Sequence, residues 1–388
     1  MSPSNRLPRI DSLLSRHLAT FLFLTLLAPT LPAQSPGAPD ASIEKPFSEA
    51  DWVDDRWSRT EVGQFLHNTV ETPRRKTPKA ITINIGDNNE AAVCFDTDLL
   101  RYAAAWTGGF IKLSPLRYGL MASAAPAGPI QFTTAPHPGW AKNNSFDDPR
   151  PQKLGALPRD WAKYRGLYLA GNRVVLSYTV GGTHILDSPW FESVDGLPVF
   201  TRTLEVSPAD ETLLLRVVDL PHTGITLAAS PELTVGLLSS EKEMIGVAAL
   251  SLLEKDRALE GAEDGFNLRI PPRTSPTTIK LLIAKVSQDN FPRFREWAKS
   301  QSGSIAKTRS LRELTTGGPG RWPALTTTGH VDRSDSPLAI DTITMPYENP
   351  WNALLFGSGH DFFSNGDAAV ATAHRGVCGV NRLGESLS

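Results

Sequence analysis

The sequence predicts a mainly β chain, an antiparallel β-sandwich with few short helices, and three observations carry that prediction. First, the stretch from Pro158 to Val206 holds three alternating strand signals and two tight turns in succession. Between Arg173 and Val180 the residues Val174, Leu176, Tyr178 and Val180 share one face, and Arg173, Val175, Ser177 and Thr179 share the other. Gly171-Asn172 before this strand and Gly181-Gly182 after it suit two-residue hairpin loops, which need positive φ. Second, 30 Gly and 31 Pro in 388 residues make about 16% of the chain against a usual value of about 12%, which favours a turn-rich β protein. Third, the clearest helical spacing is confined to Asn290–Ser300, with Pro292 in the first turn and Phe294 and Trp297 placed for one face.

The elements follow in order. Arg6, Arg9 and Arg16 precede the apolar run Leu18–Leu27, and Leu31-Pro32-Ala33 ends in a small residue, so residues 1–33 are expected to be an export signal. The run falls short of the roughly 20 residues a membrane span needs. No span is therefore expected after cleavage, an uncleaved anchor being the alternative. Residues 34–47 read as a flexible spacer, and the mature chain is expected to be periplasmic or extracellular. From Ser48 to Val70 a short helix is expected, capped by Thr60 ahead of Val62, Phe65 and Leu66. The charged group Asp51, Asp54, Asp55, Arg56 and Arg59 reads as its solvated face.

The sandwich is expected over residues 48–300. Ile81, Ile83 and Ile85, the turn Gly86–Asn89, and Ala91, Val93 and Phe95 predict one hairpin. The Asn and Asp residues there, with Asp96 and Asp98, read as turn chemistry rather than a calcium loop. Leu100–Trp106 and Phe110–Leu113 around Gly108-Gly109 predict a second hairpin, and Pro129–Thr133 a further strand. Phe200, Arg202, Leu204 and Val206 share a face, so Arg202 needs a carboxylate partner or a pocket edge. Leu213–Val218, Leu233–Leu238 and Ile279–Val286 supply later strands. Residues 301–320 read as a linker, Leu338–Met345 as a strand, and Asp361–Ala373 as a hairpin around Asn365-Gly366. Arg375–Ser388 shows no strand alternation.

The functional signal is concentrated in Ala135–Asp160, a long aperiodic segment of the kind that often carries function. His137, Trp140, Asp147, Asp148, Arg159 and Trp161 are the candidate ligand-binding residues, because flat apolar faces beside polar groups suit a polyhydroxy ligand such as a carbohydrate. The reading favoured for Trp140 and Trp161 themselves is that they plug the end of the sandwich. Asp147, Asp148 and Asp160 are the acids a glycan-active site would use, as a pair at suitable separation. His137 and His184 lie on separate elements with no motif joining them. The net charge of −2 gives no field for a nucleic-acid backbone. The two cysteines, Cys94 and Cys378, form no C-x-x-C pair, which removes zinc ribbons and haem attachment in this chain. A Cys94–Cys378 disulfide is open by count alone. No metal site and no catalytic residue is assigned.

The segments WTGGFIKL, QFTTAPHPGWA, LPRDWAKYRGLYLAGNRVVLSYTVGGTHILDSPW and FTRTLEV together resemble a domain of unknown function near the N-terminus of large exported bacterial proteins. The resemblance spans roughly Trp52 to Ala373. In those relatives a β-propeller resembling glucose/sorbosone dehydrogenases follows, often with a c-type haem domain. ENPWNALLFGSGHDFFSNGDAAVATAH is similar to the opening of that propeller, so residues 321–373 are expected to be an incomplete propeller and residues 374–388 an aberrant tail of a truncated product. The resemblance implies a non-catalytic accessory or docking domain whose partner is the missing propeller domain. Haem c and a propeller cofactor are implied only for the full-length relatives. No established catalytic residues transfer. A carbohydrate-binding or glycan-active domain using residues 135–161 is the alternative.

Overall fold

The computed structural model of the chain describes residues 61–113, 123–221, 223–231, 233–251, 258–317, 323, 325–335, 337–346, 348–351, 355, 357–365, 367–372 and 376–380. The expected signal, the spacer and the charged face of residues 51–59 lie outside the described residues. The described chain is mainly β, with antiparallel sheets and one short α-helix.

Its first strands are β1 (Phe65–Glu71), β2 (Lys76–Ile85), β3 (Ala91–Asp96), β4 (Arg101–Thr107), β5 (Ile111–Lys112), β6 (Ala125–Pro126) and β7 (Ile130–Thr133). A five-stranded sheet takes the order β1-β2-β3-β4-β7. After the long loop come β8 (Ala162–Ala170), β9 (Arg173–Val180), β10 (Thr183–Val194), β11 (Leu197–Val206), β12 (Leu213–Asp219) and β13 (Gly224–Ala229). They are followed by β14 (Leu233–Ser239), β15 (Met244–Ser251), β16 (Ala258–Ala262), β17 (Gly265–Ile270) and β18 (Thr277–Val286). An eight-stranded sheet has the order β13-β14-β15-β18-β11-β10-β9-β8, and a three-stranded sheet the order β12-β17-β16.

The alternation of β9 and β10 sets which residues become core. Val174, Leu176, Tyr178 and Ile185 face inward, meet Ile81, Ile83, Val93 and Phe95 of the five-stranded sheet, and join Leu215, Phe266 and Leu268 of the three-stranded sheet in one apolar core. Sandwich packing of this kind follows once each sheet has a dry face. On the outer face of the large sheet, helix α1 (Phe291–Ser300) buries Phe294 and Ala298 against Val199, Leu282 and Ala284. The hairpins form as their glycines dictate. Gly171 takes φ +62°, and Gly181 and Gly182 take +53° and +89°. A third tight turn, Asp195 (+47°) and Gly196 (+80°), joins β10 to β11.

Several expectations are corrected. Where the Thr60-capped helix was expected to run on to Val70, the described residues form β1, with Phe65 opposite Ile83 and Leu66 opposite Thr82. Leu66 and Val70 are buried there, and pairing with a long neighbouring strand outweighs a weak helical spacing. No hairpin forms around Gly108-Gly109: β4 pairs with β3 and β7, while β5 pairs with β6. The polar run after α1 contains two 3-10 helices, Ser302–Lys307 and Leu311–Thr315, which bury Ile305 and Leu311. Strand β20 (Thr342–Ile343) pairs with β19 (Gly329–His330), shorter than the strand expected over 338–345. Strands β21 (Gly357–Phe362) and β22 (Ala368–Thr372) form the expected hairpin. Strand β23 (Gly376–Val380) adds to β22 in the stretch expected to lack strands, because backbone pairing needs no side-chain alternation. Cys94 is a buried free thiol, pushed up to about 12 by burial and by Asp96, and it forms no disulfide.

Candidate functional site

The loop between β7 and β8 is fixed along its length by backbone pairing. Ala135 N–H donates to both carboxylate oxygens of Asp219 at 2.8 Å. Gly139 N–H donates to Leu99 O at 2.7 Å, and a Cβ on Gly139 would sit 2.1 Å from Leu100 O, so only glycine allows this approach. Trp140 then bridges to Leu215, with Arg216 N–H donating to Gly139 O and Ala141 N–H to Leu214 O. The chain here runs as an extra strand beside β12. It reverses at Asn143 and Asn144, both at positive φ (+54° and +62°), with reciprocal bonds between Lys142 and Ser145.

The predicted residues fall into two groups. Trp140 and Trp161 are core: Trp140 is 0% exposed and Trp161 4%. The Trp161 indole N–H donates to Trp140 O at 2.9 Å, and the Trp140 ring lies 6.1 Å from that of Tyr178. Neither indole offers a face for a sugar to stack on, and both belong to the main apolar core. His137, Asp147 and Arg159 are exposed on the loop surface. Asp147 bonds Ser145 Oγ through its own N–H.

Asp148 is buried and belongs to a structural clamp. Arg150 donates to it through Nε (2.9 and 3.1 Å) and Nη2 (2.7 Å). Arg150 Nη1 also reaches the carbonyls of Leu154, Gly155 and Ala156 at 3.1, 2.9 and 2.7 Å. Three carbonyls converging on one guanidinium nitrogen close residues 148–156 into a compact loop. The hydrogen bonds from Arg150 hold the Asp148 carboxyl below the usual range, and the bond from Lys142 does the same for the exposed Asp160. A glycan-cleaving pair needs one carboxyl kept protonated near neutral pH. The shifts of Asp148 and Asp160 run in the opposite direction.

Behind the loop lies a charged cluster of which sequence reading found one member. Arg202 meets Asp187 through Nε at 3.0 and 2.9 Å and through Nη2 at 2.6 Å. Tyr178 OH and Tyr102 OH donate to the same carboxylate at 2.8 and 3.1 Å. The Arg202 guanidinium also lies over the Tyr102 ring, 4.6 Å from its centroid. All four side chains are buried. Burial opposes the Arg202 charge, but Asp187 and the two phenols overcome it and leave the guanidinium above its ordinary value. Burial and then Asp187 raise both tyrosines well above theirs. A small void of about 20 Å³, with room for about one water, is lined in part by Tyr102, Pro189, Phe200, Arg202 and Val217. Asp187 was legible in principle, because it follows Ile185 at strand period on the inward face.

A second buried pair, Arg101 with Asp96 at 3.1 Å, holds the β3–β4 turn to the start of the loop, since Arg101 Nη1 donates to Thr134 O and Oγ1. Asp96 also accepts from the N–H groups of Asp98 and Leu99. Its oxygens are thereby engaged in the turn. Among the described residues no group of three or more His, Cys, Asp or Glu side chains is placed to hold a metal ion.

Residues 93–187 are similar to a family described as a domain of unknown function (DUF6797). The matched stretch runs from β3 to Asp187, so it contains the whole loop, every predicted site residue and three of the four members of the buried cluster. No curated protein matches the chain.

Proposed function

We propose that this chain is a non-catalytic docking domain of an exported dehydrogenase-like protein, and that it receives a β-propeller domain on the segment 325–363. The observation that carries this reading is where apolar surface is left open. Among the described residues nine large hydrophobic side chains are exposed, and six of them, Leu325, Leu338, Ile340, Ile343, Phe362 and Phe363, fall in that segment. Exposed apolar side chains concentrated in one stretch of chain favour a contact role over an ordinary solvent-facing one. The acids of the long loop, by contrast, are spent on loop structure. Under this reading haem c and a propeller cofactor, implied by the resemblance noted above, belong to the partner domains.

The test is titration of the purified chain with a propeller domain of the glucose/sorbosone-dehydrogenase-like class, followed by calorimetry. Saturable binding that Leu338→Ser with Phe362→Ser abolishes is the expected result. Absence of binding, or binding untouched by the double substitution, would remove the proposal.

A further inference from the structure

We infer that the outer face of β8–β10 carries a binding site for a small phosphate-type oxyanion, formed by Lys163, Arg165, His184, Ser207 and Arg312, with buried Ser177 positioning the imidazole. The strand register assembles it. Lys163 stands opposite Thr179, and Thr179 opposite His184, which makes one outward row across three strands. In the next row Gly166 stands opposite Ser177, and Ser177 opposite Leu186. Arg165 is the extra residue of a bulge between Tyr164 and Gly166. Tyr164 pairs with the inward Tyr178 and Leu167 with the inward Leu176, so Arg165 and Gly166 both fall on the outward side. A bulge re-aims a side chain in this manner and recurs beside functional sites.

The space above Gly166 is open, while Ser177 beside it is buried. Gly166 takes φ +142°, and a Cβ placed on it meets nothing within 4 Å. Ser177 Oγ lies 2.9 Å from His184 Nε2, which fixes the imidazole and leaves Nδ1 for a ligand. The His184 carbonyl accepts from Ser207 N–H at 3.1 Å, and Ser207 Oγ in turn accepts from Arg312 Nη2 at 3.4 Å. Arg312 is brought there by its 3-10 helix, whose Leu311 packs on Val175 and Leu186.

The acids on the neighbouring elements are engaged elsewhere. Glu205 of β11 accepts from Leu311 N–H at 2.6 Å, and Glu313 pairs with Arg309 at 2.9 Å. The outward β9 positions here, Ser177 and Thr179, are uncharged. Burial, Arg312 and Arg165 together lower the His184 pKa, so the field at the imidazole is positive. Two arginines, a lysine, a titratable imidazole and the Ser207 hydroxyl outnumber the one carboxylate of this row, Glu205, which faces Leu186 and is tied to the Leu311 N–H, and they suit a dianion better than a singly charged carboxylate. The site is independent of the docking surface proposed above.

The experiment follows the His184 imidazole by NMR as pH is varied, in inorganic phosphate and in sodium chloride of equal ionic strength. A bound dianion favours the imidazolium, so the His184 midpoint is expected to rise in phosphate beyond its value in chloride. Arg165→Gln and Arg312→Gln, both at exposed positions, are each expected to weaken phosphate about tenfold, and the double variant to abolish the rise with its thermal unfolding unchanged. His184→Gln assigns the resonance and should remove the pH dependence of phosphate affinity. A midpoint equal in phosphate and chloride, or a rise that survives in the double variant, would overturn the site.

Discussion

At the scale of single residues the chain's largest electrostatic commitment is Asp187 with Arg202. Neither side chain has solvent to fall back on, so removing one leaves the other charged in a dry core. Asp187→Asn keeps the shape, withdraws the charge and turns one of the two accepting oxygens into an N–H donor facing other donors. It is expected to cost about 3–5 kcal/mol, read as a lower urea midpoint with an unchanged slope. A double change to Asp187→Leu with Arg202→Met should recover much of that loss, since well-packed apolar pairs often replace buried ion pairs at little cost. If Asp187→Asn unfolds at the wild-type midpoint, the cluster is not what holds β9, β10 and β11 to β4. The sequence revealed half of this pair. Arg202 stood out because a guanidinium on an apolar strand face is costly alone. Its partner sits 15 residues away across a hairpin whose Asp195-Gly196 turn also escaped notice, although an Asp-Gly pair is a strong hairpin signal. With that turn read, the register would have set Asp187 and Arg202 on the same face.

At the scale of elements, the hairpins from β8 to β10 were legible because their turns and alternation are local. The long loop was legible only as a loop. What it does depends on contacts with Leu99, Leu100, Leu214 and Asp219, which no spacing within residues 135–160 encodes. The same limit explains the indoles. Trp140 and Trp161 have the composition of a sugar platform, and tertiary packing makes them core. Gly139 tests how tightly the loop is held. In Gly139→Ala the new Cβ meets backbone atoms of Leu100 and Arg101 at 2.1, 2.8 and 3.1 Å, and the neighbouring turn already holds Leu100 at φ +52°. Neither side has a flexible end that can move aside. The substitution is expected to cost about 1–3 kcal/mol and to speed amide exchange at Gly139 and Ala141 more than in β14 or β15. Uniform exchange throughout would mean that the loop is not docked through this contact.

At the scale of the whole molecule, stability against pH sums groups of opposite sign. His67 has its pKa lowered by burial, and His184 by burial and the two arginines. For each, the unfolded chain binds more protons than the folded one at pH between the depressed folded value and the ordinary 6.5. Stability therefore rises as pH climbs through that window and levels off above it. Both rings keep an exposed edge, so the slope is shallow. Among the buried carboxyls the signs differ. Burial raises Asp96 and Asp219, so the folded chain holds their protons longer and stability falls as pH rises from the unfolded value toward the folded one. Asp148, lowered by Arg150, contributes stability above the unfolded carboxylate value and loses it as pH falls through the folded one. These carboxyl effects are partly offsetting at acid pH, whereas the two histidines act together nearer neutrality. Urea midpoints measured from pH 5 to 8 are expected to decline below about pH 6.5, and His67→Gln with His184→Gln to flatten that decline. A decline of the same size in the double variant would place the responsible protons on other groups, and would leave the two imidazoles without a part in the acid response of the fold.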